Sequence, residues 1–290
     1  MKIWMDGKIV DEAEARVPVT DHGLLYGDGV FEGMRVVGGR VFRIEQHLAR
    51  LQVGARVLAL TLPYSIAEVR EAVESTVRAF GQPEAYIRLL VTRGVGPLGV
   101  DPTTCPRASV VCIVTTIKLF SEEQRERGLD MITSSYRRPT ADVLDVRVKS
   151  LNYLNSVLPK LEARQRGADE ALLLNPRGHI AEAAVANVFA LRGRTLSTPP
   201  ATDGCLEGIN RAAVMELADQ QLGLEVRERS LGRADLFAAD EVFLTGSGAG
   251  VVAVRQLDGR QLGSGARGPV TARLTGLLRE LAEREGTSLL

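Results

Sequence analysis

The order of strand-like and helix-like segments is the feature that most constrains how this 290-residue chain can fold. Two hairpin signals open the chain, at Asp6–Gly7 and at Gly38–Gly39, because short glycine-containing turns join antiparallel strands. Two amphipathic helical patterns follow over 44–60 and 65–80, and the second begins with a capping-box sequence. Strands and helices do not alternate strictly beyond this point. The pattern therefore predicts an α+β fold with a barrel-like part rather than a doubly wound parallel sheet.

A run of charged residues at 121–128 interrupts the β-rich segments of the chain. Such a shift in composition is typical of a boundary between domains. We predict a small α+β domain over residues 1–120, an interdomain connection over 121–130, and a larger α/β pseudo-barrel domain over 131–290.

The composition excludes several classes of protein. Basic and acidic residues number 36 each, so the chain has no excess of positive charge with which to neutralise a nucleic acid backbone. Cys105, Cys112 and Cys205 lack the CxxC spacing of zinc sites, and the three histidines are dispersed, so we expect no metal site. Carboxylates near the N-terminus and the lack of a long apolar run predict a cytoplasmic protein without a signal peptide or a membrane span.

Lysine is scarce, since only five of the 36 basic residues are lysines. Lys149 stands where a strand-like run at 143–148 is predicted to meet a helix over 150–166. An amine is a nucleophile only when it is neutral, and burial favours the neutral form, whereas arginine stays charged. Lys149 is therefore a candidate for covalent chemistry, although a lysine at a strand end can also simply extend its ammonium group to water.

Two glycine-rich turns and one carboxylate could hold a charged ligand. The turn at 246–250 follows a strand, and 206–211 opens a helix whose first N–H groups favour an anion. Taken alone, each is more typical of an ordinary tight turn, and neither matches a dinucleotide or P-loop fingerprint. Glu182 lies alone in the apolar stretch 179–189, where a carboxylate needs either a neighbouring arginine or a protonated heteroaromatic nitrogen.

Taken in order, these segments and several others resemble the aminotransferase class IV family, the fold-type IV pyridoxal-phosphate enzymes. Each matching string is weak by itself, whereas their order and spacing over almost the whole chain are specific. The strings are Tyr26–Arg35, Glu45–Leu51, Tyr86–Arg88, Lys149–Asn155, Ala181–Glu182 with Asn187, Leu206–Arg211 and Leu244–Ser247. The resemblance implies a two-domain α+β fold, with a small N-terminal domain and a larger barrel-like, cofactor-binding C-terminal domain.

The resemblance also implies pyridoxal 5′-phosphate as the cofactor and gives a role to each matching residue. Lys149 is similar to the Schiff-base lysine, which also carries the proton between substrate and cofactor. Glu182 is similar to the carboxylate that keeps the pyridine nitrogen protonated, and Arg50 to the arginine that binds the phosphate. The other cofactor-binding residues that the resemblance implies are Tyr153 at the phenolic oxygen, Leu206 on the ring face, and Ile209, Asn210 and Ser247 at the phosphate.

The substrate-binding residues resemble those of branched-chain amino-acid aminotransferases. In these enzymes an arginine matching Arg88 receives the side-chain carboxylate of glutamate or 2-oxoglutarate. D-amino-acid aminotransferases instead carry an Arg-x-His trap at the place that reads Pro97–Val100 here. The implied reaction passes the amino group of leucine, isoleucine or valine to 2-oxoglutarate. The implied substrate-binding set is Tyr26, Phe31, Arg35, Tyr86, Arg88, Gly248 and Ala249.

Departures from the family pattern keep other reactions open. Gly248–Gly250 replaces the usual Ala-Ala-Glu sequence at the place where the family binds the substrate α-carboxylate. An aminotransferase of other specificity, including one for D-amino acids, is one alternative. Aminodeoxychorismate lyase is another, because of the Ala186–Phe189 ending of the nitrogen-binding motif. The resemblance also implies a homodimer in which a loop of the partner subunit completes the active site.

Overall fold

The computed structural model describes residues 1–290 and contains sixteen strands and nine α-helices. The strands are β1 (Lys2–Met5), β2 (Lys8–Val10), β3 (Gly29–Val37), β4 (Arg40–Val41), β5 (Ala85–Thr92), β6 (Ser109–Thr115), β7 (Leu129–Arg137), β8 (Glu170–Leu174), β9 (Ile180–Ala183), β10 (Asn187–Arg192), β11 (Thr195–Thr198), β12 (Glu225–Glu228), β13 (Glu241–Gly246), β14 (Gly250–Leu257), β15 (Arg260–Gln261) and β16 (Thr287–Ser288). The helices are α1 (His22–Tyr26), α2 (Ile44–Val57), α3 (Ile66–Phe80), α4 (Glu122–Arg127), α5 (Ala141–Leu144), α6 (Leu154–Gln165), α7 (Ile209–Leu222), α8 (Arg233–Phe237) and α9 (Pro269–Glu285).

The chain divides into two compact units. The first comprises Met1–Ile117, Val148–Asn152 and Leu281–Leu290, and the second comprises the remaining residues. The two short segments of the first unit lie within the range 131–290 that the sequence analysis assigns to the larger domain. The domain boundaries given above, at residues 120 and 131, stay a prediction about which parts of the chain fold as separate domains.

A seven-stranded sheet forms the first unit, in the strand order β16-β4-β3-β5-β6-β1-β2. Both predicted hairpins are present, as β1–β2 and β3–β4. Ser65 and Glu68 form the predicted capping box at the start of α3. The apolar faces of α2 and α3 share one core with Val30, Met34 and Val36 of β3, each at most 1% exposed. This core fixes β3 against α2, and both elements carry residues of the predicted site.

Strand β3 pairs with β5 in antiparallel fashion, with Gly33 opposite Arg88 and Arg35 opposite Tyr86. Successive side chains of a strand alternate between the two faces of the sheet, and directly opposite residues share a face. The odd-numbered residues of β3, including Phe31, therefore lie on the same face as Tyr86 and Arg88. The even-numbered residues of β3 face the core.

The segment around Lys149 differs from the prediction of a strand over 143–148 followed by a helix over 150–166. Part of the first range is helical in α5, and the next helix, α6, begins four residues later than predicted. Between them the chain pairs with β3, because the Phe31 N–H donates to the Lys149 carbonyl at 2.9 Å and Ser150 forms a β-bridge with this strand. These long-range backbone bonds replace the helical ones and delay the start of α6.

A nine-stranded mixed sheet forms the second unit. Eight strands follow the order β12-β11-β10-β13-β14-β7-β8-β9, and β15 pairs with β14. The pairs β11–β12, β14–β7 and β7–β8 are parallel and the others antiparallel. The charged stretch 121–128 forms α4, which opens with a capping box of Ser121 and Gln124. One antiparallel sheet, one mixed sheet and unevenly spaced helices confirm the predicted α+β class. None of the nine helices combines the length and the apolar character needed to cross a bilayer.

Candidate active site

In the first unit, three of the predicted residues meet around the ring of a fourth, Phe31. Lys149 Nζ lies 4.6 Å from the centroid of this ring, and the guanidinium carbon of Arg88 lies 4.6 Å from the same centroid. Arg88 Nη2 donates a 3.2 Å hydrogen bond to the Tyr86 hydroxyl. A side chain on Gly33 would collide with that hydroxyl, so the close approach of Tyr86 requires glycine here. An amine, a guanidinium and two aromatic rings thus form one group.

This group around Phe31 has an unsatisfied donor. Phe31 and Tyr86 are buried, whereas Lys149 and Arg88 are half-buried. Arg88 Nε is shielded from solvent and lacks a hydrogen-bond partner in the protein. Leaving a buried donor unpaired costs about 1–3 kcal/mol, more for a charged group. A carboxylate is the acceptor that a guanidinium binds best, so Arg88 is suited to an anionic ligand group.

Tyr26, a further predicted substrate-binding residue, contacts a different part of the chain. Its hydroxyl accepts a 2.9 Å hydrogen bond from the Gly99 N–H, and its ring packs edge-on against His22. His22 in turn donates from Nε2 to the Pro97 carbonyl at 2.9 Å. Tyr26 therefore holds the loop that carries Pro97 and Gly99. Arg35 is half-buried on the same sheet face as Phe31.

Arg50, predicted to bind phosphate, is held by Glu32. Its Nε donates to Glu32 Oε1 at 2.8 Å and its Nη2 donates to Glu32 Oε2 at 2.7 Å, which is a bidentate ion pair. His47 Nδ1 lies 2.7 Å from Glu32 Oε2. Glu32 and His47 are at most 1% exposed, and Arg50 lies one helical turn after His47 on α2. The three side chains form a buried cluster, which we call the Glu32 cluster.

The protonation states in the Glu32 cluster follow from its surroundings. Burial raises the pKa of the Glu32 carboxyl, but the hydrogen bonds from Arg50 and His47 and the positive charge of Arg50 outweigh it and lower the pKa to about 2. Burial lowers the pKa of His47, and it outweighs the opposing effect of Glu32. At neutral pH the cluster therefore contains a carboxylate, a guanidinium and a neutral imidazole. Because the carboxylate can only accept, His47 carries its proton on Nδ1 and donates it to Glu32.

In the second unit, the predicted carboxylate Glu182 lies buried on β9 and pairs with Arg138. Arg138 Nη2 is 3.0 Å from Glu182 Oε1. Glu182 Oε2 accepts hydrogen bonds from the Leu206 N–H at 3.2 Å and from Asn187 Nδ2 at 3.4 Å. Of the two partners that the sequence analysis considered, the protein supplies an arginine. An ionised carboxylate can accept about four hydrogen bonds, so a protonated ring nitrogen can share it.

Arg138 is itself fixed by several oxygen atoms and is almost fully buried. Its Nη1 donates to Asn155 Oδ1 at 2.7 Å and to Ser156 Oγ at 3.2 Å, and its Nη2 donates to the Ala184 carbonyl at 3.3 Å. Asn155 and Ser156 belong to the first turn of α6, whose N-cap residue is the half-buried Tyr153. The start of α6 thus positions both a predicted cofactor ligand and the arginine that holds Glu182.

The predicted phosphate ligands of the second unit lie at the start of α7. Its N-cap, Gly208, provides no side-chain hydrogen bond, so no cap competes for the N–H groups of Ile209 and Asn210. Asn210 Nδ2 donates to the Gly246 carbonyl at 3.2 Å, which ties this helix start to the turn 247–249 between β13 and β14. An uncapped helix N-terminus beside a serine-bearing turn is suited to an anion such as phosphate.

The predicted residues therefore form two sets. Those of the first unit are Lys149, Arg50, Tyr26, Phe31, Arg35, Tyr86 and Arg88. Those of the second unit are Glu182, Tyr153, Leu206, Ile209, Asn210, Ser247, Gly248 and Ala249.

Glu32, His47 and Arg138 also belong to these clusters, although the sequence did not predict a role for them. A signal for Glu32 was available, because it is the one charged residue among the core-facing positions of β3. Glu182 is predicted from its sequence in the same way, as an isolated carboxylate in an apolar stretch. His47 also had a signal, since it precedes Arg50 by three positions on a predicted helix. Arg138 carried no local signal, because its partners lie 17 to 46 positions away in the chain.

Comparisons with known proteins show the family of this chain. The family described as "Amino-transferase class IV" matches residues 29–257. The branched-chain-amino-acid aminotransferase of Escherichia coli strain K12 is 38% identical over 278 residues, 94% of this chain and 90% of its own. A crystal structure of the E. coli enzyme superposes with a TM-score of 0.93 at 36% identity, covering 99% of this chain and 96% of that chain.

A second solved structure carries a ligand. It is the T.th. branched-chain amino acid aminotransferase complexed with N-(5′-phosphopyridoxyl)-L-glutamate. Its TM-score is 0.91 at 36% identity, covering 98% of this chain and 94% of that chain. The matched residues span most of the sequence in both kinds of comparison, and we conclude that this chain belongs to the amino-transferase class IV family.

Proposed function

We propose that this chain is a pyridoxal-phosphate-dependent aminotransferase that transfers the amino group of leucine, isoleucine or valine to 2-oxoglutarate, giving branched 2-oxo acids and L-glutamate. The observation that carries the proposal is the group around Phe31, where Lys149 and Arg88 lie over one aromatic ring. Aromatic walls suit an aliphatic side chain, and the guanidinium suits the side-chain carboxylate of glutamate. One pocket can therefore serve both half-reactions. The reaction belongs to branched-chain amino acid biosynthesis.

The donors within each unit fit a part of pyridoxal 5′-phosphate: a phosphate-binding arginine and an amine in the first unit, and a buried carboxylate and a helix N-terminus in the second. When bound, this cofactor supplies an aldehyde that condenses with amines and a ring that takes up the electron pair left at the substrate Cα. We assign Lys149 to the aldehyde, Glu182 to the ring nitrogen and Arg50 to the phosphate. The further ligands that we propose are Tyr153, Leu206, Ile209, Asn210 and Ser247. The T.th. relative is complexed with a phosphopyridoxyl compound, which supports pyridoxal 5′-phosphate as the cofactor.

Lys149 is the residue that we expect to move protons. Its main chain is tied to β3 through the hydrogen bond from the Phe31 N–H, so the start of the side chain is fixed. The ring face of Phe31 attracts the ammonium form of Lys149 Nζ. The neutral amine can take the proton from the substrate Cα, and the aromatic ring then helps to hold that proton on Nζ.

The two ends of the substrate are assigned to different residues. We propose that Arg88 binds the side-chain carboxylate of glutamate through the atoms on its Nε edge, since Nε has no partner in the protein. The N–H groups of Gly248 and Ala249 are proposed to bind the α-carboxylate. Tyr26, Phe31, Arg35 and Tyr86 are proposed to line the side-chain pocket.

We also propose that the protein is a homodimer in which a loop of the partner subunit completes the active site. An exposed apolar surface on the first unit supports this. Leu24 of α1 is 62% exposed, and Leu98 and Val100 of the loop between β5 and β6 are 79% and 80% exposed. Apolar groups of this size cost free energy in water, and a second copy of the chain would cover them.

We propose a cytoplasmic location from the state of the thiols. Cys112 and Cys205 are free and buried, and burial raises the pKa of each to about 12. Free thiols are typical of the reducing compartment in which amino acids are made.

Half-reactions with single amino acids test the proposed function. Protein loaded with pyridoxal phosphate is mixed with one amino acid, and conversion of the cofactor to its pyridoxamine form is followed by absorbance. We expect conversion with L-leucine, L-isoleucine, L-valine and L-glutamate, and little with the D-enantiomers. Preferential conversion by D-amino acids would select the D-specific alternative. Release of pyruvate from aminodeoxychorismate without an amino acceptor would select the lyase.

An arginine variant sharpens this test. In R88L, the half-reaction with L-glutamate should slow ~100-fold more than the half-reaction with L-leucine, because only glutamate loses an ion pair in a buried pocket. Equal slowing with both amino acids would contradict the assigned role of Arg88.

A further inference from the structure

We propose that Glu32 and His47 are positioning residues for Arg50, and that they determine how tightly the protein holds the 5′-phosphate of its cofactor. This inference rests on the proposed function, in which Arg50 binds that phosphate. Neither side chain can contact a ligand itself, since both are buried in the core of the first unit. Their effect therefore acts through the orientation of the Arg50 guanidinium.

Two hydrogen bonds to Glu32 fix the orientation of the Arg50 guanidinium. The bidentate pair engages Arg50 Nε and Nη2, at 2.8 and 2.7 Å from the two Glu32 oxygens. Two parallel hydrogen bonds define the direction of a planar fork, whereas a single one leaves it free to rotate. The Arg50 side chain is 14% exposed and Glu32 is fully buried, so the carboxylate holds the arginine from the core side.

His47 fixes the carboxylate in turn. Its Nδ1–H donates to Glu32 Oε2, the oxygen that also accepts from Arg50 Nη2. Glu32 is on β3 and His47 is on α2, one turn before Arg50. The carboxylate is therefore held from a second direction, and rotation about its terminal bond would break hydrogen bonds with both partners. Hydrogen bonds that fix the neighbours of a ligand-binding side chain are a common way to preorganise a site.

Fold stability alone gives little reason for this cluster. The neighbouring core-facing positions of β3, Val30 and Met34, are apolar and almost fully buried. Removing charged groups from water costs several kcal/mol per ion, and replacement of a buried ion pair by apolar side chains is often neutral or stabilising. The core does not require an acid at position 32, because apolar side chains could fill the same place, whereas an acid there is useful for orienting an arginine that we assign to an anion.

Two ligands that differ only in the phosphate provide the test. Pyridoxal 5′-phosphate and pyridoxal carry the same ring and aldehyde, so both can react with Lys149. The dissociation constant of each is measured by absorbance titration for the wild type and for E32Q. In E32Q the amide NH₂ group faces an N–H donor of Arg50, so one of the two hydrogen bonds of the bidentate pair is lost. We expect pyridoxal phosphate to bind ~10-fold to 100-fold more weakly in E32Q, and pyridoxal to bind within twofold of wild type.

His47 provides a second pair of variants, which keeps the test valid if E32Q does not fold. The amide nitrogen of H47N can take the place of Nδ1 and donate to Glu32, whereas H47L cannot. We expect H47L to weaken the binding of pyridoxal phosphate severalfold, and H47N to restore most of it. Neither variant should change the binding of pyridoxal.

A further variant isolates the path through Arg50. In an R50M background, the additional change E32Q should no longer weaken the binding of pyridoxal phosphate, because the residue that it positions is gone. A continued loss in the double variant would overturn the inference.

Other outcomes separate this inference from the proposed function. Equal weakening of both ligands in E32Q and H47L would show a merely structural role and would overturn the inference. Unchanged binding of pyridoxal phosphate in all variants would overturn it as well, and the proposed function would stand. A wild-type protein that captures neither ligand would overturn the proposed function itself.

Discussion

Two buried arginine–glutamate pairs, one in each unit, use the same chemistry in opposite ways. In the first unit Glu32 is enclosed by the core and presents Arg50, which is the more exposed partner. In the second unit Arg138 and Glu182 are almost equally buried, at 6% and 8% side-chain exposure. We assign the acid of the first pair to supporting its partner and the base to binding the ligand. In the second pair we assign the reverse.

The way each supporting residue is anchored differs accordingly. Glu32 is an acceptor and is fixed by donors, Arg50 and His47. Arg138 is a donor and is fixed by acceptors, which include Asn155 and the Ala184 carbonyl. A cofactor with an anionic phosphate at one end and a cationic ring nitrogen at the other needs both arrangements. Which partner of a buried ion pair is available to a ligand therefore depends on which partner is fixed by other residues, and not on the charges alone.

The largest expected effect comes from the amine that belongs to neither pair. K149A should lower transamination by ~10⁴-fold or more, because it removes both the nucleophile and the proton carrier. The protein should also fail to retain pyridoxal phosphate covalently after borohydride reduction, as measured by mass spectrometry. Reductive labelling of K149A at another lysine with retained activity would show that the chemistry lies elsewhere.

The second prediction concerns the pair in which the acid acts. E182Q should lower kcat by ~10²-fold to 10³-fold, since a neutral amide cannot stabilise a protonated ring nitrogen. Binding of the phosphate should change much less, which distinguishes E182Q from E32Q. The matched control is E123Q on the exposed start of α4, where the same chemical change should leave kcat at the wild-type value. If E182Q weakens phosphate binding as strongly as E32Q does, the two pairs do not have opposite roles.

The third prediction concerns Glu32 and the pH dependence of the free energy of unfolding. The pKa of Glu32 is lowered from 4.5 in the unfolded chain to about 2 in the folded protein. The folded state therefore binds fewer protons, and the free energy of unfolding falls as the pH drops from about 4.5 to about 2, by about 3 kcal/mol from this group. Lowering of the His47 pKa acts in the same direction below pH 6.5.

Urea unfolding of the cofactor-free protein at a series of pH values measures this dependence. The slope between pH 4.5 and pH 2 should be shallower in E32Q than in the wild type, because the amide does not titrate. Parallel slopes for the two proteins would contradict an ionised, hydrogen-bonded Glu32.

The smallest effect is expected outside both pairs. S65A removes the side-chain half of the capping box of α3 and should lower the free energy of unfolding by about 1 kcal/mol. Its kcat and its affinity for pyridoxal phosphate should stay at wild-type values. The variant measures how much a loss of stability alone disturbs the site. A marked loss of affinity in S65A would mean that the effect of E32Q cannot be attributed to Arg50.

Elements determined by neighbouring residues were predictable from the sequence. The Ser65–Glu68 capping box and the two glycine-containing hairpins are formed by residues close together in the chain, and all three are present. Family resemblance supplied the site residues, and the groups around Phe31 and Glu182 bring several of them together.

Features that depend on distant partners were not predictable in this way. The predicted helix start at Ser150 is wrong because the backbone around residues 149–151 forms its hydrogen bonds with β3, more than a hundred positions away. Arg138 is fixed beside Glu182 by oxygen atoms of residues far from it in the chain, so no local pattern indicates this position. Glu32 could have been found, since a lone charge at a core-facing strand position is unusual.

The attachment of Lys149 to β3 has a consequence for laboratory evolution of this enzyme. The strand to which we assign part of the substrate pocket, β3, also holds the main chain around Lys149, because the Phe31 N–H donates to the Lys149 carbonyl and the Gly29 carbonyl accepts from the Leu151 N–H. Insertions or backbone shifts in β3 intended to enlarge the pocket would displace the nucleophile together with the wall. Libraries that seek new substrates should therefore vary side chains on β5 and leave the length of β3 untouched.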